Sequence, residues 1–147
     1  MLNKIYKVDV ASDFLTFEFE SIGPKGRFTK VVNYTELDEK GFYNLGFGDK
    51  DPETGLISDA TVTDNGDSQK VLATVAATLY TFTEEFPNAF IVATGSTSAR
   101  TRLYRIGISN NLETIKQDFT VFGLRYNEWE IFRKDTSYDA FLVKKKL

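Results

Sequence analysis

The 147-residue sequence contains no histidine and no cysteine. Without cysteine there is no disulfide, no thiolate nucleophile and no Cys-ligated zinc or iron–sulfur site. Without histidine, the commonest general base near neutral pH and the commonest transition-metal ligand are both missing. A Ser-His-Asp or Cys-His mechanism within this chain is thereby excluded, and no metal or cofactor is expected. Proline and glycine are scarce, at 3 and 10 residues, which leaves no long flexible segment, and no repeat or linker is visible. Positive charge is not in excess: 18 Lys and Arg against 21 Asp and Glu give a net charge of −3. That balance argues against whole-surface attraction to nucleic acid or anionic lipid. Long apolar runs are missing too, since no window approaches the ~18 apolar residues that a membrane-spanning helix needs. The stretch Met1 to Lys7 leads into Val8-Asp9-Val10 rather than an apolar core, so no signal peptide and no membrane partner are expected, and the cytoplasm is the expected location.

What remains is an ordinary globular composition, 41% hydrophobic and 27% charged. The length suits one domain, residues 1–147, with a core that needs no covalent or metal staple. From Phe14 onward, Leu15, Phe17 and Phe19 alternate with Thr16, Glu18 and Glu20, the period of a half-buried strand. Ile22 to Gly26 reads as a turn, and Arg27 to Tyr34 as the hairpin partner. Thr35 to Gly41 is a polar loop. Tyr43, Leu45 and Phe47 mark a third strand whose Gly46 and Gly48 suggest a bulge or a close backbone approach. After the acidic loop Asp49 to Gly55, Ile57 to Thr63 is β-branched enough for a fourth strand, pairing with the third.

Asp64 to Ser68 is a turn ending in helix-capping residues. Val71, Leu72, Val75, Ala76, Leu79 and Tyr80 then recur at helical spacing, predicting a long helix that ends near Pro87-Asn88. Phe90 to Ala93 is a short apolar run without alternation, the pattern of a strand covered on both faces. A second helix follows Gly95 to Ser98, with Ala99, Leu103 and Ile106 as its expected core anchors. Asn111 is placed to cap a short third helix through Asp118. Phe119 to Tyr126 and Trp129 to Arg133 form a hairpin around Asn127-Glu128, and Ala140 to Val143 is a last strand before a basic tail, Lys144 to Lys146. This order predicts an α+β fold: an antiparallel or mixed sheet with two to three helices gathered on one face. Hairpin-linked early strands disfavour a doubly wound parallel sheet.

The candidate site is the strand–turn–helix around Gly95. A strand running into a helix start leaves the first N–H groups of the helix unpaired, with the positive end of the helix dipole behind them. Gly95 allows close backbone approach, Ser96, Thr97 and Ser98 add hydroxyls, and Arg100 lies in the first turn. Arg102 and Arg105 are three apart and share a helix face, as a clamp for phosphate or carboxylate would. Arg100 points ~160° away from Arg102 around the axis. The plain alternative is that one hydroxyl caps the helix and the arginines are a solvated face. The segment is neither a P-loop nor a dinucleotide fingerprint.

Other features carry less. Asp49, Asp51 and Glu53 alternate like the start of an EF-hand loop, but the sixth position is Thr54 and the twelfth Ala60, where glycine and a bidentate glutamate are required. Asp59, Asp64 and Asp67 read as turn formers. Phe17, Phe19, Phe28 and Phe47 read as core, leaving Tyr104 as the aromatic available for ligand stacking. Three terminal lysines are too few to mark a nucleic-acid patch.

Taken together, YNLGFGD at Tyr43 to Asp49, DNGDSQKVLATVAATL at Asp64 to Leu79 and GSTSARTRLYRIGI at Gly95 to Ile108 resemble a family of small, uncharacterised bacterial proteins of about this length. The resemblance spans nearly the whole chain, implies no activity and transfers no catalytic residue. From the residues themselves, the favoured reading is a binding module for a phosphate-bearing ligand, a nucleotide or nucleic-acid backbone. A second reading is a small enzyme using carboxylates as acid and base with the arginines as charge stabilisers. A third is a regulatory protein whose partner is another protein.

Overall fold

The computed structural model describes residues 4–58, 63–95 and 97–147. In chain order its elements are β1 (Asp9–Val10), β2 (Thr16–Gly23), β3 (Gly26–Glu36), β4 (Phe42–Asp49), α1 (Ser68–Glu85), β5 (Phe90–Ala93), α2 (Ser98–Asn110), α3 (Leu112–Asp118), β6 (Phe119–Arg125), β7 (Glu128–Ile131) and β8 (Ala140–Lys145). The strands form one mixed sheet in the order β1-β2-β3-β4-β5-β8-β6-β7. Among the described residues only β4 and β5 pair in parallel, and α1 is the crossover that such a pair requires.

Alternation sets the inner face. Phe17 and Phe19 from β2, Val32 and Tyr34 from β3, Leu45 and Phe47 from β4, Ile91 from β5 and Val143 from β8 are buried in one cluster with Val71, Val75, Leu79 and Phe82 of α1, Tyr104 of α2 and Ile115 of α3. Tyr34 stacks on Phe82 at 4.0 Å between ring centroids and shares a 2.8 Å hydrogen bond with Thr78, which satisfies its buried hydroxyl. The α+β architecture with helices on one face is as the sequence predicts.

Several local expectations are corrected. Phe90 and Val92 are only half-buried while Ile91 and Ala93 are buried, so β5 is central but covered on one face, because all three helices lie on the other. Of the expected fourth strand, residues 59–62 lie outside the described residues, and among the described ones Ile57 forms an isolated bridge with Lys50. Gly46 and Gly48 make no bulge, since β3 and β4 pair in unbroken register. The close approach is Ile57, whose Cγ2 would lie 2.7 Å from a Cβ at Gly48. The β6–β7 turn falls one residue early, at Tyr126 and Asn127, both with positive φ. Asn111 does not cap α3 with its side chain; its Nδ2 instead donates to the Gly107 carbonyl at 2.8 Å, closing the end of α2. The lysine tail is partly strand: β8 includes Lys144 and Lys145, and the Lys146 ammonium donates to the Lys116 carbonyl.

The second helix is turned relative to expectation. Ala99 is exposed and Leu103 and Ile106 are half-buried, whereas the buried residues are Tyr104 and Gly107. The cause lies in the sheet. β5 pairs with β4 only as far as Asn44, so residues 45–49 of β4 run on with β3 on one side and no continuation of β5 on the other. α2 lies along that opening. Arg100 donates to the Phe47 carbonyl at 3.3 Å and Tyr104 to the Leu45 carbonyl at 3.5 Å, replacing ladder bonds that a longer β5 would have made. Burial raises the Tyr104 hydroxyl above its ordinary pKa, against the opposing charge of Arg100. Gly107 lets α2 approach α1, with Leu72 Cδ2 3.4 Å from where its Cβ would be.

Candidate functional site

The turn into α2 is closed by its own residues. Thr97 is the N-cap, its Oγ1 accepting from the Arg100 N–H at 3.2 Å. The Gly95 N–H is spent on Thr101 Oγ1 at 3.2 Å. A Cβ at Gly95 would lie 2.3 Å from the Thr101 nitrogen, so the glycine serves the packing of the turn against its own helix. Arg100 faces inward, adding a 2.5 Å bond to the Ser58 carbonyl to the one on Phe47. Ser96 lies outside the described residues.

Ser98, Arg102 and Arg105 face the other way. With Thr101 they line a cleft of about 320 Å³ whose opposite wall is Ser137, Tyr138 and Asp139 of the β7–β8 loop. Positions 98, 101, 102 and 105 follow the i, i+3, i+4, i+7 spacing of a single helix face. Of the seven residues singled out in the sequence, three therefore meet in this cleft, while Gly95, Thr97 and Arg100 hold the helix start in place.

The opposite wall is rigidly backed. The Tyr138 hydroxyl donates to Glu130 Oε2 at 2.9 Å and accepts from the Arg133 N–H at 3.1 Å. Its ring lies over Gly123, where a Cβ would come within 2.4 Å. Glu130 is gripped by Arg125 at 2.9 Å and Arg133 at 3.2 Å. The hydrogen bonds from Arg125 and then Tyr138 hold its carboxyl below the usual range. Asp139 is exposed, with its backbone N–H on the Leu124 carbonyl at 2.8 Å. It is the one carboxylate among the described residues that line the cleft.

The arginines of the cleft differ from three of the other four in the chain. Arg100, Arg125 and Arg133 have protein partners, whereas among the described residues Arg102 and Arg105 make neither an ion pair nor a hydrogen bond. Two guanidinium groups on one helix face repel each other, and an anion between them relieves that repulsion. The spacing of the arginines made this half of the cleft visible in the sequence. Ser137 and Asp139, more than thirty residues away, carried no signal.

A second polar centre was not anticipated. Lys30 shares the inner face of β3 with Val32 and Tyr34 and is fully buried. Its ammonium pairs with Asp49 Oδ1 and donates to the Thr63 carbonyl at 2.9 Å, while Asp49 Oδ2 accepts the Thr63 N–H at 3.1 Å. Both backbone groups of Thr63 are thus held by one ion pair. Asn65 donates to the Gly26 carbonyl and accepts from the Lys25 N–H, both at 2.8 Å. Asp67 accepts from Tyr6 at 2.5 Å and Ser21 at 2.6 Å. The network fastens the segment that leads into α1. Leu103 and Ile106 face a cavity of about 230 Å³ beside it.

Asp51 and Asp64 serve turns. Asp51 Oδ1 accepts from the Glu53 and Thr54 N–H groups, Asp64 accepts from Gly66, and Asp59 lies outside the described residues. Among the described residues no three metal-ligating side chains are gathered, and no helix is long and apolar enough to cross a membrane. Tyr104, buried against β4, is not placed to stack on a ligand.

Comparison with curated proteins and with solved structures gives no match. A family model does match, over residues 2–146. The chain belongs to that family, DUF6934, a family of unknown function.

Proposed function

We propose that the protein is a binding module for a phosphate-bearing ligand, seated in the cleft between α2 and the β7–β8 loop. The observation that carries this reading is the convergence of Arg102 and Arg105, both without partners among the described residues, with the Ser98 and Thr101 hydroxyls on one concave surface. Arg102 and Arg105 supply charge and paired N–H donors, and the hydroxyls complete the shell around the phosphate oxygens. Gly95, Thr97 and Arg100 contribute by fixing where the helix begins.

Thermal unfolding with inorganic phosphate as the probe tests the reading. A site of about 1 mM affinity gains ~1.4 kcal/mol at about 10 mM phosphate, which is an upward shift of roughly 3–6 °C for a chain of this size. The double variant Arg102→Ala/Arg105→Ala is expected to lose that shift while keeping its phosphate-free melting temperature, since neither side chain supports the fold. A wild type indifferent to phosphate, or a double variant that still responds, overturns the proposal.

A further inference from the structure

The cleft holds a carboxylate opposite its arginines, and we infer that the ligand is a guanine mononucleotide rather than a nucleic-acid strand. The inference rests on the phosphate reading and adds to it the identity of the group at the other end of the ligand.

Asp139 is exposed, lines the same cleft as Arg102 and Arg105, and forms no ion pair with either among the described residues. Its backbone is anchored on Leu124, so its position is set by the sheet. A nucleic-acid strand carries a phosphate about every 3.4 Å of its axis, and its neighbouring phosphates would be driven against this carboxylate. Like charges brought together in an interface disfavour the wrong partner, and a protein with net charge −3 offers no compensating field. A ligand with a single phosphate avoids the conflict. The cleft volume of about 320 Å³ is near the lower limit of small-molecule pockets, ~300–1,000 Å³, as suits one compact ligand.

The far end of that ligand must satisfy Asp139. An ionised carboxylate accepts hydrogen bonds and donates none, and it has two oxygens side by side. Guanine presents N1–H and the 2-amino group as adjacent donors, the complement of those two oxygens. Adenine and cytosine each set an amino group beside a ring acceptor, and uracil sets its N3–H between two carbonyl oxygens, so each would place a lone pair against the carboxylate. The Ser137 hydroxyl, on the same wall, can donate or accept and adds no constraint.

Calorimetric titration of the full chain with GMP, IMP, AMP, inorganic phosphate and a single-stranded oligothymidylate tests this. GMP is expected to bind at least about tenfold more tightly than IMP, which lacks only the 2-amino group, and than AMP. Asp139→Asn should weaken GMP by about tenfold or more while leaving phosphate unchanged or slightly tighter, since a negative charge is removed. Equal affinity for the three nucleotides, GMP binding insensitive to Asp139→Asn, or an oligonucleotide that binds as well as GMP overturns the inference. The comparison of GMP with IMP is made on the wild type and does not depend on any variant folding. Phosphate that binds through Arg102 and Arg105 without base discrimination defeats this inference alone, whereas phosphate that fails to bind defeats the phosphate reading itself.

Discussion

Lys30→Met removes the buried cation of the Lys30–Asp49 pair while nearly preserving side-chain length. Lys30 is 0% exposed, and the Asp49 side chain is 12% exposed, so water can do little to replace the lost partner. The substitution leaves Asp49 with one hydrogen bond, from the Thr63 N–H, and strips the Thr63 carbonyl of its donor. Breaking a buried pair on one side costs ~3–5 kcal/mol, a large part of the ~5–15 kcal/mol that holds a typical domain folded. At ~2–4 °C per kcal/mol for a chain of this size, the melting temperature should fall by roughly 6–20 °C. The double variant Lys30→Met/Asp49→Leu removes both charges. What then remains unsatisfied is the N–H and C=O of Thr63, which is itself only half-buried, at ~1 kcal/mol each. The double variant should therefore be more stable than Lys30→Met alone. Urea unfolding followed by far-UV circular dichroism, with fluorescence of the single tryptophan, Trp129, as a second probe, gives all three free energies. A cost below about 1 kcal/mol for Lys30→Met, or a double variant no more stable than Lys30→Met alone, would show that the two charges do not compensate each other.

Two glycines should respond to alanine in opposite directions. A Cβ at Gly123 would meet the Tyr138 ring at 2.4 Å, so Gly123→Ala is expected to destabilise by ~1–3 kcal/mol; unchanged thermal unfolding would mean that the ring can move aside. At Gly107 the nearest atom is 3.4 Å away and the site is helical, so Gly107→Ala should be neutral or stabilise by up to ~1 kcal/mol, and a clear loss of stability would contradict the packing of α2 on α1. Alkaline pH should also weaken the fold. Burial, and then the hydrogen bond to Asp118, push Tyr80 up to about 12, and burial raises Tyr34 and Tyr104 as well. Because the unfolded hydroxyls titrate near 10, the unfolded state loses its protons first. The stability is complete below about pH 10 and falls as pH rises from there through about 12; urea midpoints that stay level across that interval would refute it.

Much of the architecture was legible because its signals are local. Alternation at Phe17 and Phe19 and the 3.6 spacing of Val71, Val75 and Leu79 follow directly from burying one face of a strand or helix, and the structure buries those residues. The errors arise where a residue answers to something distant. Lys30 looks like a solvent-facing interruption in a strand, and its burial becomes intelligible only when Asp49 and the backbone of Thr63 arrive to pair with it. The lysines near the end of the chain look like a solvated tail because nothing nearby in sequence shows that Phe119 to Leu124 will pair with β8.

The same distinction divides the arginines of α2. Periodicity separates Arg100 from Arg102 and Arg105, but it cannot say which side meets the core, since an arginine stripe is usually the solvent side. By hydropathy alone Leu103 and Ile106 should turn inward. They reach only a half-buried position beside the Lys30 network, because β5 ends at Ala93 and leaves β4 carbonyls that need donors more than the core needs two further aliphatic side chains. Arg100 and Tyr104 supply those donors, and their demand rotates the helix. That rotation aims Arg102 and Arg105 at the β7–β8 loop and creates the cleft opposite Asp139. A strand that stops after four residues thereby decides which arginines are structural and which are free to meet a ligand.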